Sequence, residues 1–336
     1  MASTIKDIAR ETGLGFATIS NYLNGKNVRD KNKVLIEAAI KKLNFEVNEV
    51  ARGLKTNKTR TVGIVIPTLN NIFFSAIAAQ VGNVFRNHGY ATIICDYNED
   101  AKQEKAAVDF LYKKRVDGLI NMPSCQNGRH LESFYKAQKP IVLFDRKIEG
   151  IECDTVLVEN KEAVASGVQL LIRNGHKRIG IIAGPNDIFT ANERLAGYIQ
   201  AMEEANLGVD EKLIIHGNYS TIVDGTRAFK ELVSKNPDMT AVIATNYEMT
   251  VGMIISSNEQ NIQIPDKLSV IGYDSKEFAQ ACRPRLTMIA QPTTDIAINV
   301  ANIMLSRLEE DVANRSVSKT LKLKTILIEG SSIKKI

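Results

Sequence analysis

The chain has 336 residues, of which 44% are hydrophobic and 24% charged, so it holds enough apolar material for more than one globular domain. It contains no apolar run long enough to span a membrane, and its first residues lack the apolar core of a secretory signal, so we expect a cytoplasmic protein. The four cysteines lie far apart and form no C-x-x-C pair, which favours small buried thiols and argues against a zinc site or a disulfide framework.

The positive charge is concentrated at the amino-terminal end of the chain. The formal net charge is +5, yet residues 1–60 carry 12 Lys+Arg against 6 Asp+Glu, a net of +6, while the other 276 residues carry 31 against 32, a net of −1. A small basic head on a nearly neutral body is typical of a module that binds a polyanion.

Residues 1–46 predict three helices. Thr4 to Asp7 fits a capping box, and the helix that follows ends at Gly13. A second short helix is predicted over 16–23 and a longer third over about 31–43. The residues expected to be buried on the third helix are Val34, Leu35, Ala38, Ala39 and Leu43. Two short helices joined by a tight glycine-containing turn, followed by a third, indicate a helix-turn-helix head.

Residues 47–60 form a linker with one short helical turn inside it. Asn48 can cap a turn over 49–54, and a polar, basic strap follows it. A segment this short cannot build a hydrophobic core, so we expect it to become ordered only in contact with a partner.

From Thr61 onward, short β-branched runs alternate with amphipathic helices. Such runs occur at 62–66, 92–94, 118–120 and 141–144, and a second series follows at 178–182, 241–243 and 268–272. This alternation predicts an α/β fold of doubly wound parallel sheets, and its length predicts two lobes with a crossing at 159–163. Lobes of this kind bind small ligands in the cleft between them, near the carboxyl ends of the strands.

Several motifs together resemble the lactose/galactose-repressor family over residues 3–330. They are Thr4-Ile5-Lys6-Asp7-Ile8-Ala9, Leu23-Asn24-Gly25, Asn48-Glu49-Val50-Ala51-Arg52-Gly53-Leu54, Gly175-His176-Lys177-Arg178-Ile179, Arg194-Leu195-Ala196-Gly197-Tyr198 and Val270-Ile271-Gly272-Tyr273-Asp274. The resemblance implies a homodimeric transcription regulator, most often a repressor. In such a regulator a periplasmic-binding-protein-like core controls the binding of the heads to a palindromic operator. It also implies discontinuous lobes, with 61–159 plus 290–319 in the first and 160–289 plus 320–336 in the second.

The resemblance assigns the DNA contacts to the second helix and its surroundings. Phe16, Ala17 and Asn21 would meet base edges, where an amide can pair with adenine and an apolar side chain can touch a thymine methyl. The family commonly has an arginine at the position of Asn21. The positions that resemble phosphate contacts are Thr4, Thr18, Ser20 and Asn24, although Thr4 is equally suited to a purely capping role.

The hinge residues Asn48, Ala51 and Leu54 would lie in the minor groove, with Leu54 as a wedge between base steps. The alternative for Leu54 is packing on the body or on the partner hinge. Gly53 weakens the short helix, so we expect the hinge to be disordered without DNA.

The effector contacts implied by the resemblance lie in the cleft. They are Phe73, Phe74, Arg194, Tyr219, Asn246, Tyr247 and Asp274. A guanidinium and a carboxylate suit the hydroxyl groups of a sugar, although family members that bind purines share them. An interlobe salt bridge is the structural alternative for Arg194, and core packing is the alternative for at least one of the two phenylalanines. Tyr247 stands where an acid commonly follows the asparagine, so we expect it to narrow the pocket or to stack on a ring.

Two other classes of function remain open from the residues alone. A solute-binding protein of a transporter would share the two-lobed body, although the basic head argues against it. An enzyme that uses Asp274 as a base would need a second reacting group, and we find no nucleophile elbow, no P-loop, no metal ligands and no cofactor motif. No heptad tail follows Ile333, which favours a dimer, and a phosphocarrier-type corepressor is possible in this family without an assignable surface here.

Overall fold

The computed structural model describes residues 3–23, 25–46, 58–311 and 314–336. The chain divides into two compact units, 1–59 and 60–336. The hinge residues Asn48, Ala51 and Leu54, the short turn expected over 49–54 and the proposed phosphate contact Asn24 lie outside the described residues.

The first unit contains the three expected helices, α1 (Ile5–Thr12), α2 (Phe16–Leu23) and α3 (Asp30–Leu43). Gly13 ends α1 in the left-handed conformation, with φ of 68°, which glycine adopts without a steric penalty. One residue from each helix, Ile8, Ile19 and Ile36, is completely buried, and together they form the centre of a small core. Leu14 and Leu23 are partly buried and pack against this core.

The predicted buried face of α3 is correct for Ala39 and Leu43 and wrong for its other three residues. Val34 is 65% exposed, and Leu35 and Ala38 are exposed as well. The face that packs on α1 and α2 carries Ile36 and Ile40 together with the predicted Ala39 and Leu43. Both sets obey helical spacing, so only the packing against the other two helices distinguishes them.

The second unit contains two six-stranded sheets with closely similar topologies. The first has the order β2-β1-β3-β4-β5-β11 and the second has the order β7-β6-β8-β9-β10-β12. All pairings are parallel except that of β10 with β12. The strands of the first sheet are β1 (Thr61–Ile66), β2 (Ala91–Asp96), β3 (Gly118–Asn121), β4 (Ile141–Phe144), β5 (Asp154–Val158) and β11 (Thr320–Leu323). Those of the second are β6 (Ile179–Ala183), β7 (Ile214–His216), β8 (Ala241–Ala244), β9 (Ser269–Tyr273), β10 (Thr287–Ala290) and β12 (Ile326–Ile328).

Helices cover the faces of both sheets, as a doubly wound fold requires. They are α4 (Ile72–Asn87), α5 (Ala101–Lys113), α6 (Glu132–Lys136), α7 (Asn160–Arg173), α8 (Phe189–Glu204), α9 (Ile222–Lys235), α10 (Tyr247–Glu259), α11 (Lys276–Ala281) and α12 (Thr293–Glu309). In the described ranges, no helix is both long and apolar enough to cross a membrane.

The chain crosses between the lobes three times. It leaves the first sheet at Glu159, and it returns after β10 so that α12 packs in the first lobe's core. The third crossing was expected after residue 319, but β11 pairs with β5 in the first sheet. The crossing therefore falls between Leu323 and Ile326, because Arg307 and Asp154 hold the preceding segment on the first lobe.

The core is densest where helices meet the central strands. All residues of β3, β4, β5, β6, β8, β9 and β10 are buried, as expected of strands covered on both faces. Helices α9 and α10 approach closely because each has a glycine at the contact, and a Cβ on Gly252 would lie 2.5 Å from the carbonyl oxygen of Ile222. Of the four cysteines, none is fully buried and Cys125 is exposed, so the expectation of four buried thiols is wrong.

Candidate functional site

The face of α2 that points to solvent carries the three side chains expected to meet bases. Phe16 is 55% exposed, and Ala17 and Asn21 are exposed on the same helix. Ile19 anchors the opposite face in the core against Ile8. The helix therefore presents two apolar groups and one amide to any partner that meets this face.

The expected phosphate contacts that the structure describes lie on α2 and at the start of α1. Thr18 and Ser20 are partly exposed on α2. Thr4 is exposed at the start of α1, where its backbone amide and its hydroxyl both donate to the Asp7 carboxylate at 2.9 and 2.7 Å. These hydrogen bonds lower the pKa of Asp7. The cap thus occupies the Thr4 hydroxyl donor, whereas its oxygen can still accept a hydrogen bond.

In the second unit, a cleft lies between the two sheets at the carboxyl ends of their strands. It encloses about 480 Å³ of space not filled by atoms, including the part open to solvent. Six of the seven expected effector residues line it: Phe73, Phe74, Arg194, Tyr219, Asn246 and Asp274. Sequence reasoning missed other polar lining residues, among them Asn71, Glu99, Asp145, Arg146, Glu248 and Gln291.

The two lobes present matching aspartates to this cleft. Asp145 directly follows β4, and Asp274 directly follows β9, the equivalent strand of the second sheet. Both adopt the left-handed conformation, with φ of 64° and 79°, and both backbone amides donate to the neighbouring strand. A non-glycine residue in this conformation stores strain, which often marks a functional position.

Arg194 is a buried residue of the cleft lining, and neutral hydrogen-bond acceptors and aromatic rings surround its guanidinium group. Its guanidinium donates to Asn160 Oδ1 at 2.8 Å and to the Thr245 carbonyl oxygen at 2.6 Å. It also lies 4.1 Å from the centre of the Tyr273 ring. Burial alone would lower its pKa, but the surrounding tyrosines and aspartates raise it overall, so the side chain is held as a cation. No ion pair within 4 Å involves Arg194 in the described residues, which argues against the simple interlobe salt bridge.

The aromatic residues divide between the cleft and its surroundings. Phe73 is buried in the first lobe's core at the edge of the cleft, whereas Phe74 is half-buried, and their ring centres lie 5.4 Å apart. Tyr219 lines the cleft and bonds Thr245 through its hydroxyl at 2.6 Å.

The expectation that Tyr247 narrows the pocket is wrong. Its ring packs against Phe278, with ring centres 6.0 Å apart, and is not part of the lining. Its backbone amide instead donates to Asp274 Oδ2 at 2.9 Å and so helps to hold that carboxylate.

A buried carboxylate that sequence reasoning missed joins the lobes. Glu248 Oε1 accepts a hydrogen bond of 2.8 Å from Asn71 in the first lobe, and Oε2 accepts one of 2.7 Å from Asn246 in its own lobe. Burial raises the pKa of Glu248 to about 7, and the nearby Asp274 adds to this rise. The signal was present in the sequence, since an acid was expected after Asn246 and stands two residues after it instead of one.

Chemistry other than binding finds little support in the cleft. Among the described residues, no group of three or more His, Cys, Asp or Glu side chains is arranged to hold a metal ion. His176 bonds Thr240 Oγ1 at 2.9 Å and the Lys334 carbonyl oxygen at 3.0 Å, so it fastens the end of the chain to the second lobe. The cleft offers both hydrogen-bond donors and hydrogen-bond acceptors around a small volume, which suits a polar ligand.

Comparison with known protein families matches both units. Residues 4–48 match the bacterial regulatory proteins of the lacI family, and residues 168–333 match the periplasmic binding protein-like domain. Among characterised relatives, the chain is 31% identical over 333 residues to the HTH-type transcriptional repressor PurR of Vibrio atlanticus, with 95% of this chain and 99% of that protein covered.

Solved structures extend the likeness over the whole chain. A complex of the transcriptional regulator CelR with cellobiose is 26% identical, with a TM-score of 0.73, 98% of this chain covered and 99% of that one. The lac repressor dimer bound to operator and the anti-inducer ONPF has the same fold, with a TM-score of 0.87 at 21% identity and coverage of 99% and 100%.

Proposed function

The chain belongs to the lacI family of bacterial regulatory proteins, and we propose on that premise that it is a repressor that binds a palindromic operator as a homodimer and responds to a carbohydrate. As a family member it is a transcriptional regulator with a DNA-binding helix-turn-helix and an effector-binding domain, and it is not an enzyme. We propose that it acts in the cytoplasm, where such an operator is accessible.

The observation that carries the proposal is the pairing of two surfaces in one chain. One unit exposes Phe16, Ala17 and Asn21 on the second helix of a helix-turn-helix, and the other encloses a polar cleft between two lobes. The first suits base edges in the major groove, and the second suits a small hydroxylated molecule. We propose that Leu54, with Asn48 and Ala51, enters the minor groove beside the heads.

The proposal of a dimer is supported by apolar side chains exposed on two adjoining helices. Ile222 and Val223 lie at the start of α9, and Ile255 lies on α10, which packs against it. Val223 is 77% exposed, and exposed apolar side chains that occur together on adjoining helices are typical of a surface that contacts another chain. Two-fold symmetry would then place two heads on two half-sites about one helical turn apart.

The proposal of a carbohydrate effector is supported by the chemistry of the cleft. Asp145, Asp274 and Glu248 supply carboxylate acceptors, and amides supply both donors and acceptors, which together match vicinal hydroxyl groups. The regulator CelR, which has the same fold, is complexed with cellobiose.

The test begins with selection of DNA from a random pool by the full-length protein. We expect the selected sequences to form a palindrome, and we expect binding of the resulting duplex to weaken steeply as salt rises. The duplex is then titrated with protein in the presence of a panel of sugars, and at least one sugar should change the affinity by roughly 5- to 150-fold. If no sequence is selected, or if DNA affinity does not depend on salt concentration, the proposal for the head is refuted. If no sugar changes the affinity for DNA, the proposal for the effector is refuted.

A further inference from the structure

The cleft holds more acidic than basic side chains. Its lining contains four carboxyl groups and two guanidinium groups, and no lysine contributes to it in the described chain. The acidic members are Glu99, Asp145, Glu248 and Asp274, and the basic members are Arg146 and Arg194. An anionic effector would therefore meet more carboxyl than guanidinium groups.

Both arginines already contact protein groups, although Arg146 Nε is buried without a hydrogen-bond partner in the described chain and can donate to a ligand hydroxyl oxygen. Arg146 lies between two of the acids, 3.8 Å from Glu99 and 3.9 Å from Asp145, and so acts as counter-ion to both. The guanidinium of Arg194 is held by Asn160 and by a backbone carbonyl oxygen. Neither cation is within hydrogen-bonding distance of Glu248.

Glu248 is the carboxylate that lacks a compensating charge. It is buried, and its two side-chain partners, Asn71 and Asn246, are neutral amides. The charged groups that contribute to the rise of its pKa, Asp274 and Glu99, are themselves carboxylates. Its carboxylate accepts hydrogen bonds from both side-chain amides and from its own backbone amide, which leaves about one of its four acceptor positions for a donor from elsewhere.

Two further acceptors in the lining have unused capacity. Asp145 is 3% exposed and Gln291 is 8% exposed, and within the described chain neither Asp145 Oδ1 nor Gln291 Oε1 has a hydrogen-bond partner. Native proteins seldom bury an acceptor without a donor, so these two atoms point to a ligand that brings donors. A ligand rich in N–H and O–H groups would satisfy both.

We propose that the effector is a hydroxylated molecule that carries a protonated amine, as an amino sugar does, and that Glu248 is the counter-ion of that amine. The hydroxyl groups donate to Asp145 and Gln291. The inference rests on the proposed function, since it specifies the class of effector that the regulator takes.

The test is calorimetric titration of the full-length protein at pH 7 with matched sugars. The probes are glucosamine, galactosamine and mannosamine, their parent hexoses, their neutral N-acetyl derivatives and glucose 6-phosphate. We expect at least one amino sugar to bind roughly 30-fold or more tightly than both its hexose and its N-acetyl derivative. The substitution Glu248→Gln keeps the shape of the side chain and should abolish that preference.

A second readout distinguishes an ion pair from a merely structural role of Glu248. Because an ammonium group favours the charged carboxylate, binding at pH 7 should release part of a proton to the buffer. The apparent enthalpy should then vary with the ionisation enthalpy of the buffer in the native protein, and this dependence should shrink in Glu248→Gln. The control is Glu259→Gln, an exposed position on the same helix that pairs with Lys230, and it should retain both the preference and the proton release.

Three results would overturn the inference. One is a hexose or glucose 6-phosphate that binds as tightly as the amino sugars, another is a preference that survives in Glu248→Gln, and the last is no binding of any amino sugar at ~10 mM, a concentration well above a weak millimolar Kd. Operator binding separates this failure from failure of the proposed function. If a neutral sugar alters operator affinity, the regulator stands and only the amine is refuted, whereas loss of specific DNA binding refutes the regulator itself.

Discussion

Replacement of Glu248 by glutamine should stabilise the protein at neutral and alkaline pH and have much less effect in acid. A carboxyl group whose pKa is higher in the folded state holds its proton more tightly there, so folding stability falls as pH rises from the ordinary value towards the raised one. For Glu248 the two values are 4.5 and about 7, and at 1.36 kcal/mol per pH unit the charged carboxylate costs the folded state about 3 kcal/mol above pH 7.

The assay is urea unfolding of the native protein and of Glu248→Gln at about pH 5 and pH 8, followed by circular dichroism. The amide also alters the hydrogen bonds with Asn71 and Asn246, but that contribution does not depend on pH. The quantity of interest is therefore the change in the stability difference between the two pH values. We expect the variant to gain about 2–3 kcal/mol relative to the native protein on going from pH 5 to pH 8.

Glu104 is the matched control, since it is another buried glutamate with the opposite electrostatic setting. Burial alone would raise its pKa, but His130, Ser124 and Asn121 hold the carboxylate by hydrogen bonds and lower the pKa overall. Glu104→Gln should therefore lose similar stability at pH 8 and pH 5, and the loss should shrink only below the ordinary pKa of 4.5. A pH-independent effect in Glu248→Gln, or one with the sign expected for Glu104, would refute the account of the cleft.

Three further predictions concern the division of labour in the chain. Leu54→Ala should weaken operator binding and leave sugar affinity intact. Arg194→Ala should remove the response to sugar and leave basal operator binding intact. Equal loss of both activities in both variants would contradict this division. Asn21→Ala should cost about 1–3 kcal/mol of operator affinity and relax base preference at one position of each half-site, as measured by competition with mutated operators. Val223→Asp should convert a dimer to a monomer in light scattering at unchanged helix content, and an unchanged mass would place the interface elsewhere.

The sequence predicted most of the central strands because their residues are buried on both faces, although it missed the equally buried β5 and β10. Continuous apolar runs such as Ile179–Ala183 and Ile141–Phe144 can be recognised as strands without knowing which strands they pair with. The strands that were missed depend on distant contacts. Thr320–Leu323 is an edge strand whose residues are at most half-buried. Another missed strand begins at the buried Asp154, whose charge is paired with Arg307, 153 residues away in the chain.

The cleft was predicted only in part, and the errors have a geometric cause. Arg194, Asn246 and Asp274 were found through resemblance, and the cleft indeed brings them together. Asn246 caps α10, and each later residue turns about 100° around the helix axis, so Tyr247 projects to Phe278 and Glu248 projects into the cleft. Asp145 could have been found, since it follows a buried strand at the carboxyl edge, where parallel sheets place their ligands.

The position of Glu248 also bears on how a ligand could shift the equilibrium between open and closed lobes. A ligand changes a conformational equilibrium only by as much as its affinities for the two states differ. Asp145 belongs to the first lobe and Glu248 and Asp274 to the second, so a ligand that contacts all three can make its full set of interactions only when the lobes are closed. The hydrogen bond from Asn71 to Glu248 already favours closure, and an ammonium group on Glu248 strengthens that bond by keeping the carboxylate charged. Asn71→Ala should therefore weaken amine binding together with the effector's influence on operator affinity, even though the amine itself pairs with Glu248.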